Sequence, residues 1–277
     1  LSVGSNSLLI VFKLVVGSLS GSISILSEAI HSANDLLAAI IAWWSVRLSD
    51  RPPDDEHPYG HGKIESISGA FEAGLIIVAA IWIIFEAIQR LLHPAGIEHL
   101  WLGILVMMIS GVMNIIVSRH LYEVAEREDS LALKADAAHL SADVYTSFGV
   151  AAGLFVVWLT GWHWVDPLAA IVVALFIVRI GWTLIRGAAS HLMDERLPQN
   201  EIEEIHHILN EEQRILSWHE LRTRKAGSQR HVDVHIAVAA SMTFVDAHNV
   251  ADDLERQIAT RLNPAHVVIH VDPADAV

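Results

Sequence analysis

The chain has 277 residues, with 18 Lys and Arg against 32 Asp and Glu, and a formal net charge of −14 at pH 7. That balance excludes the basic surface a phosphate backbone needs, so no nucleic-acid partner is expected. The absence of cysteine excludes disulfides and thiolate metal sites, which leaves imidazole and carboxylate as the ligands for any bound metal.

Apolar residues make up 53% of the chain, and the mean hydropathy is +0.42. This average fits a membrane part joined to a polar part. Leu1 to Ser7 shows neither a basic n-region nor a cleavage signature, so no signal peptide is expected. A membrane-crossing helix needs about 20 mostly apolar residues. Six stretches meet that length: Ser2–Ile25, Ser27–Leu48, Ile64–Leu92, Leu100–Tyr122, Leu131–Leu159 and Val165–Leu192. The fold expected is six transmembrane helices over 1–194, followed by a cytoplasmic α/β domain over 195–277.

Orientation follows from Lys and Arg. Arg47, Arg51 and Lys63 flank the link after the second span, and Arg119, Arg127 and Lys134 flank the link after the fourth. Arg186 and Arg196 flank the end of the sixth, whereas the first and fifth links carry no Lys or Arg, and Arg90 in the third is a lone exception. Both termini are therefore expected on the cytoplasmic side. Trp43, Trp44, Trp101, Trp162 and Trp164 sit where interfacial anchors belong.

From Leu197 the sequence becomes polar. Pro198 opens the tail, with Asn200 as the expected N-cap of a helix over Glu201–Asn210. Strands are expected over Ser217–Arg224 and Arg230–Ala239, with Gly227-Ser228 as the turn between them. In the second strand Val232, Val234, Ile236 and Val238 share one face. A helix over Phe244–Leu262, starting near Thr243 or Asp246, and a strand over His266–Val271 complete the tail.

Three groups of residues carry chemistry. The first is His-x-x-x-Asp, which occurs twice inside apolar spans, as His31 with Asp35 and His139 with Asp143. A spacing of four places each pair on one helix face, and two such faces opposed supply two nitrogens and two oxygens, a tetrahedral zinc set. An ionisable group at the centre of a spanning helix costs about 2.5 kcal/mol or more, so these residues face the bundle interior. Glu28 and Asn34 in the second span, and Asp136 in the fifth, share that polar face. Metal binding requires deprotonated ligands, so protons compete with the metal at His31 and His139, which points to metal–proton antiport.

The second group is Asp54, His57 and His61 in the link after the second span, where Pro58, Gly60 and Gly62 favour a tight loop. A solvated polar turn is the competing reading there. The third group is His219, His235, His248, His270 and Asp272, spread over the tail strands and last helix. Scattered surface histidines are the alternative to a converging patch.

The stretches SEAIHSANDLLA, DDEHPYGHGKIES, ADAAHLSADVYTS, HELRTR and VIHVDP resemble those of the cation diffusion facilitator family, and the resemblance covers nearly the whole chain. It implies a six-helix membrane domain, a metallochaperone-like (ferredoxin-like) cytoplasmic domain, and a homodimer in a prokaryotic inner membrane. It implies zinc–proton antiport out of the cytoplasm through His31, Asp35, His139 and Asp143, with zinc as both cargo and regulator. It implies a loop site at Asp54, His57 and His61 and a binuclear tail site of His219, His235, His248, His270 and Asp272 at the dimer interface. It also implies that Lys63 and Asp194 pair to tie the membrane helices to the tail. Where some bacterial relatives have Asp, this chain has His31, a pattern that favours zinc over cadmium, iron, cobalt or manganese.

Two other classes compete. A membrane zinc enzyme would carry His-Glu-x-x-His, and His219-Glu220 has no second histidine at that spacing. A zinc-responsive membrane sensor would need only the tail ligands, which leaves the paired motifs in the membrane spans without a use.

Overall fold

The computed structural model describes residues 2–20, 23–92, 100–162 and 164–274, with the side chains of 17, 19, 20, 23–31, 34, 100–103 and 154 outside the described set. The chain packs as two units: Leu1–Pro52 with Ile64–Ala189, and Pro53–Lys63 with Ser190–Val277. The loop that follows the second helix thus belongs to the same unit as the tail.

The first unit holds α1 (Ser2–Ser20), α2 (Ile23–Ser49), α3 (Lys63–Leu92), α4 (Leu100–Arg127), α5 (Leu131–Thr160) and α6 (Val165–Leu192). One boundary differs from expectation. The expected link near Leu26 cannot be read against α1 and α2, because Gly21 and Ser22 between their bounds lie outside the described residues. Helix α4 runs five residues past Tyr122, because Glu123, Glu126 and Arg127 are good helix formers that extend it beyond the apolar stretch. Among the described residues, Lys63–Leu92, Ile104–Arg127, Leu131–Thr160 and Val165–Leu192 are long and apolar enough to cross a membrane, and Ser2–Val16 is a shorter apolar helix.

Packing in this unit relies on small residues, as it does where lipid removes the hydrophobic drive between helices. Ala80, Ala142 and Ala174 pack with Ile76 and Ile177 where α3, α5 and α6 meet. At Gly181 an added Cβ would lie 2.6 Å from Ile77 Cγ1, so α6 approaches α3 closely only because no side chain intervenes. Val78, Trp82, Val172, Leu175 and Trp158 are exposed, as a lipid-facing surface requires. Trp43, Trp44, Trp162 and Trp164 are also exposed, and the last two rings stack 5.9 Å apart.

A buried carboxylate fastens three helix ends. Glu65 accepts hydrogen bonds from Ser49 Oγ at the end of α2 (3.0 Å), from Ser130 Oγ (2.8 Å) and from the Leu131 N–H (3.0 Å). Ser130 is also the N-cap of α5, accepting from the Leu133 N–H.

The second unit holds α7 (Gln199–Glu211), β1 (Ser217–Ala226), β2 (Gln229–Val238), α8 (Phe244–Arg261) and β3 (Ala265–Pro273). The sheet order is β1-β2-β3, with β1 antiparallel and β3 parallel to β2. Asn200 is not the cap of α7. Pro198 occupies that position with no side-chain cap, and its carbonyl accepts from the Glu201 and Ile202 N–H groups. Its ring fixes φ near −53°, which starts the helix without a capping side chain. Thr243 caps α8 as expected, accepting from the Asp246 N–H. Both helices pack on one sheet face: Ile202, Ile205 and Leu209 of α7 and Val250, Leu254 and Ile258 of α8 meet Val232, Val234, Ile236 and Val238. Alternation then commits His235 and its strand neighbours to the opposite, open face.

Removal of the Glu65 carboxylate strands three donors at the helix junction. Glu65→Ala is expected to lower the stability of the detergent-solubilised protein by about 2 kcal/mol, read as a lower thermal midpoint, with Glu65→Gln recovering part of the loss.

Candidate metal centres

Among the described residues, three groups of ligand atoms form, each lying within 4.8 Å of one another. The first lies between helices of the first unit. His139 Nε2 on α5 sits 3.1 Å from Asp35 Oδ1 on α2 and 4.0 Å from Asp143 Oδ2, one turn along α5. Asp35 and His139 are buried, and His139 Nδ1 has no hydrogen-bond partner among the described residues. His31 lies one turn before Asp35 on α2, but its side chain falls outside the described residues. The described part is thus one imidazole and two carboxylates, drawn from two helices, with Asp35 and His139 buried and Asp143 partly buried. An oxygen- and nitrogen-lined site of this kind can strip the hydration from a divalent cation and hold it between helices.

The second group lies in the loop. Asp54 Oδ1 accepts from the His57 N–H (2.7 Å) and the Glu56 N–H (3.1 Å), an Asx turn that folds the segment back on itself. Gly60 adopts φ of 79°, and the Gly60 N–H bonds to the His57 carbonyl. His57 Nδ1 and His61 Nε2 then lie 3.3 and 3.4 Å from the Asp54 carboxylate, with the two rings 4.5 Å apart. The backbone hydrogen bond from His57 is the main reason the Asp54 carboxyl is held below its ordinary pKa.

The loop rests on the β1–β2 hairpin of the same unit. A Cβ on Gly62 would come within 2.3 Å of the Ala226 carbonyl oxygen, so only glycine permits this approach. Lys63 Nζ pairs with Asp194 Oδ1 at 3.0 Å, and Arg224 reaches the same oxygen at 3.5 Å. The Arg224 guanidinium also lies 5.0 Å over the Tyr59 ring. Asp194 is held below its ordinary pKa, first by the Lys63 hydrogen bond.

The third group is on the open sheet face. His219, His235 and His270 are consecutive register partners across β1, β2 and β3. Their rings lie 5.1 and 4.6 Å apart. Asp272 receives all three: His235 Nδ1 at 3.0 Å, His219 Nε2 at 3.6 Å, and His270 Nε2 at 3.2 Å on its other oxygen. The three mutually close ligands are His219, His235 and Asp272, with His270 beside them. The His235 hydrogen bond chiefly lowers the Asp272 pKa. His248 stands on α8, 62% exposed and paired with Asp252 on its own helix at 3.6 Å, and is not brought into this group.

A bulge sets this arrangement. Register shifts between His219 and Arg222, where Glu220 adopts φ of 51°. Had the Arg222–Asp233 pairing continued without the shift, His219 would sit opposite Ile236, a core residue, and face inward. Sequence alternation alone gives no sign of the extra residue. His231 was not singled out from the sequence either. It is buried on β2, 5.9 Å from both Tyr59 and His266. Its signal was weak, one histidine beginning an apolar strand.

Comparisons with known proteins accord with this organisation. The family model for the cation efflux transmembrane domain matches residues 1–193, and that for the cation efflux protein, cytoplasmic domain (ZT_dimer) matches residues 197–274. An uncharacterised transporter of Synechocystis sp., sll1263, is 36% identical over 276 residues, covering 99% of this chain and 89% of that protein. The cation-efflux pump FieF of Escherichia coli (strain K12 / DH10B) is 32% identical over 271 residues, covering 98% and 90%. A solved structure from a proposed zinc transporter, CzrB, in its zinc form is 35% identical over 30% of this chain and 97% of that one, with a TM-score of 0.29. The chain is therefore a multi-pass membrane protein with a cytoplasmic C-terminal domain, and a transporter, not an enzyme. It belongs to the cation efflux, or cation diffusion facilitator, family.

His231 gives the cytoplasmic unit a pH dependence. Burial, then the Arg224 and His266 charges, push its pKa below the usual value of 6.5. The fold therefore favours the neutral ring. Its contribution is fully present above about pH 6.5 and is lost as the pH falls through the lowered folded value. In metal-free protein the thermal midpoint of the tail is expected to fall below about pH 6.5 more steeply than in His231→Leu. Parallel pH profiles would show that folding leaves the His231 pKa unshifted.

Proposed function

We propose that this cation efflux protein exports a divalent metal, with zinc preferred, from the cytoplasm across a prokaryotic inner membrane in exchange for protons. The observation that carries the reading is the meeting of buried Asp35 and His139 with partly buried Asp143 between α2 and α5. Buried charge of this kind inside apolar helices is too costly to keep for packing alone. With His31 one turn from Asp35, the set becomes two imidazoles and two carboxylates, which suits zinc's borderline character better than it suits harder ions. Four such ligands leave no open position for a reacting water, so the site favours carriage over catalysis.

Six spanning helices and cytoplasmic termini complete the reading. The ferredoxin-like tail works as a homodimer, consistent with the ZT_dimer match. Proton coupling follows from the ligands themselves. His139 hydrogen-bonds Asp35 at 3.1 Å, with Asp143 4.0 Å away, and must give up that proton role to bind a metal. The tail row of His219, His235, His270 and Asp272 offers imidazole and carboxylate donors on an open face, a fit for a regulatory divalent ion at cytoplasmic concentrations. His248, on α8, would join only if its helix or a second chain brought it nearer. The loop site at Asp54, His57 and His61 would take the ion near the cytoplasmic mouth.

Zinc uptake into proteoliposomes under an imposed pH gradient tests the membrane site. Asp35→Ala and His139→Ala are each expected to abolish gradient-driven uptake, a loss of at least about 100-fold. Uptake that survives both substitutions would move the transport site elsewhere. Absence of flux from well-folded native protein would favour a zinc-responsive sensor.

The tail should set the zinc dependence of transport instead of the transport itself. Asp272→Ala removes the one side chain that meets three histidines. It is expected to shift the half-saturating zinc concentration by about 10-fold or more while zinc bound at Asp35 and His139 remains. Loss of all zinc binding in this variant would show that the sites are not separable.

A further inference from the structure

The open face of the tail sheet carries a second cross-strand pair of imidazoles that neither the tail group nor the loop group uses. His231 on β2 is the register partner of His266 on β3, four residues before the His235–His270 pair on the same two strands. The rings of His231 and His266 lie 5.9 Å apart at 45°, against 4.6 Å and 48° for His235 and His270. Alternation places both pairs on one face, separated by about 13 Å along the strands, far enough for separate ions.

His231 is 6% exposed, yet its Nε2 is buried with no hydrogen-bond partner among the described residues. The side chains of this unit are described throughout 53–63 and 190–274, and none of them bonds to that nitrogen. A buried ring nitrogen is costly to leave bare unless a donor or an ion meets it. Tyr59 lies edge-on to the His231 ring at 5.9 Å. Arg224, its register partner on β1, turns its charge to Asp194 at 3.5 Å and to the face of Tyr59. Asp233 stands two residues further along β2, exposed on the same face. Burial favours the neutral form of His231, which is the form that binds metal.

We propose that His231 and His266 form a further site for a borderline divalent cation such as zinc, separate from the group centred on Asp272. His231 is the fixed ligand, held by burial beneath Tyr59. His266 is exposed and free to turn onto the ion. Two imidazoles are half of a tetrahedral set, and the Asp233 carboxylate with water supplies the other half. This site stands apart from the transport reading, because it shares no residue with Asp35, His139 or Asp143.

Equilibrium dialysis of the full-length protein in detergent against zinc, with elemental analysis, counts the zinc bound per chain at saturation. His266→Ala removes an exposed ring and is expected to bind about one zinc fewer than native protein, at an unchanged thermal midpoint in the absence of metal. His231→Leu is expected to show the same loss. The His266→Ala loss should persist in an Asp272→Ala background, which separates this site from the neighbouring group. A native zinc count in either single variant overturns the proposal, as does a loss that disappears once Asp272 is replaced. Should His231→Leu fail to fold, His266→Ala decides alone.

Discussion

A carboxylate confined between apolar helices must meet a positive partner, and the membrane unit is organised around that demand. Asp35 meets His139 at 3.1 Å across two helices. Each side chain alone would cost about 2.5 kcal/mol or more at the centre of a spanning helix. Brought together, they form a site whose empty state is already half satisfied by the imidazole. The same pairing makes the site exchangeable, because the group that neutralises the acid is also one that can bind metal.

The helices can approach closely enough to form such a site because their contacts are built from small residues. Ala80, Ala142 and Ala174 line the junction of α3, α5 and α6, and Gly181 admits Ile77 where any side chain would collide. Glu65 then fixes the ends of α2, α3 and α5 through three donors. Polar bonds at the helix ends and small residues along their length together hold Asp35 and His139 in register.

The cytoplasmic unit solves a different problem, that of gathering imidazoles on a surface. Core packing by Val232, Val234, Ile236 and Val238 commits one sheet face to the helices. The other face is left to His219, His235, His270 and Asp272, aligned by strand register. The loop of Asp54, His57 and His61 seats on the hairpin of this unit through Gly62, and Lys63 pairs with Asp194 close by. Membership of the loop in this unit follows from these contacts, not from its position in the chain.

Much of this was legible in the sequence because it rests on local periodicity. Apolar length marked the helices, a spacing of four paired His139 with Asp143, and alternation assigned Val232 to Val238 to one face. The Asp54, His57 and His61 loop was legible from its prolines and glycines. Other features depend on neighbours distant along the chain. The Glu220 bulge that turns His219 outward is a backbone departure that no side-chain pattern encodes. Glu65, in the first turn of α3, becomes a helix junction only through Ser130 and Leu131, far along the chain. Only packing shows that both Glu72 oxygens, buried in α3, lack donors among the described residues. The sequence by itself determined which residues could be ligands and which helices could carry them, because helix and strand periods are local. Tertiary structure alone decided which of those ligands meet, because distances between elements are set by packing, register and one inserted residue.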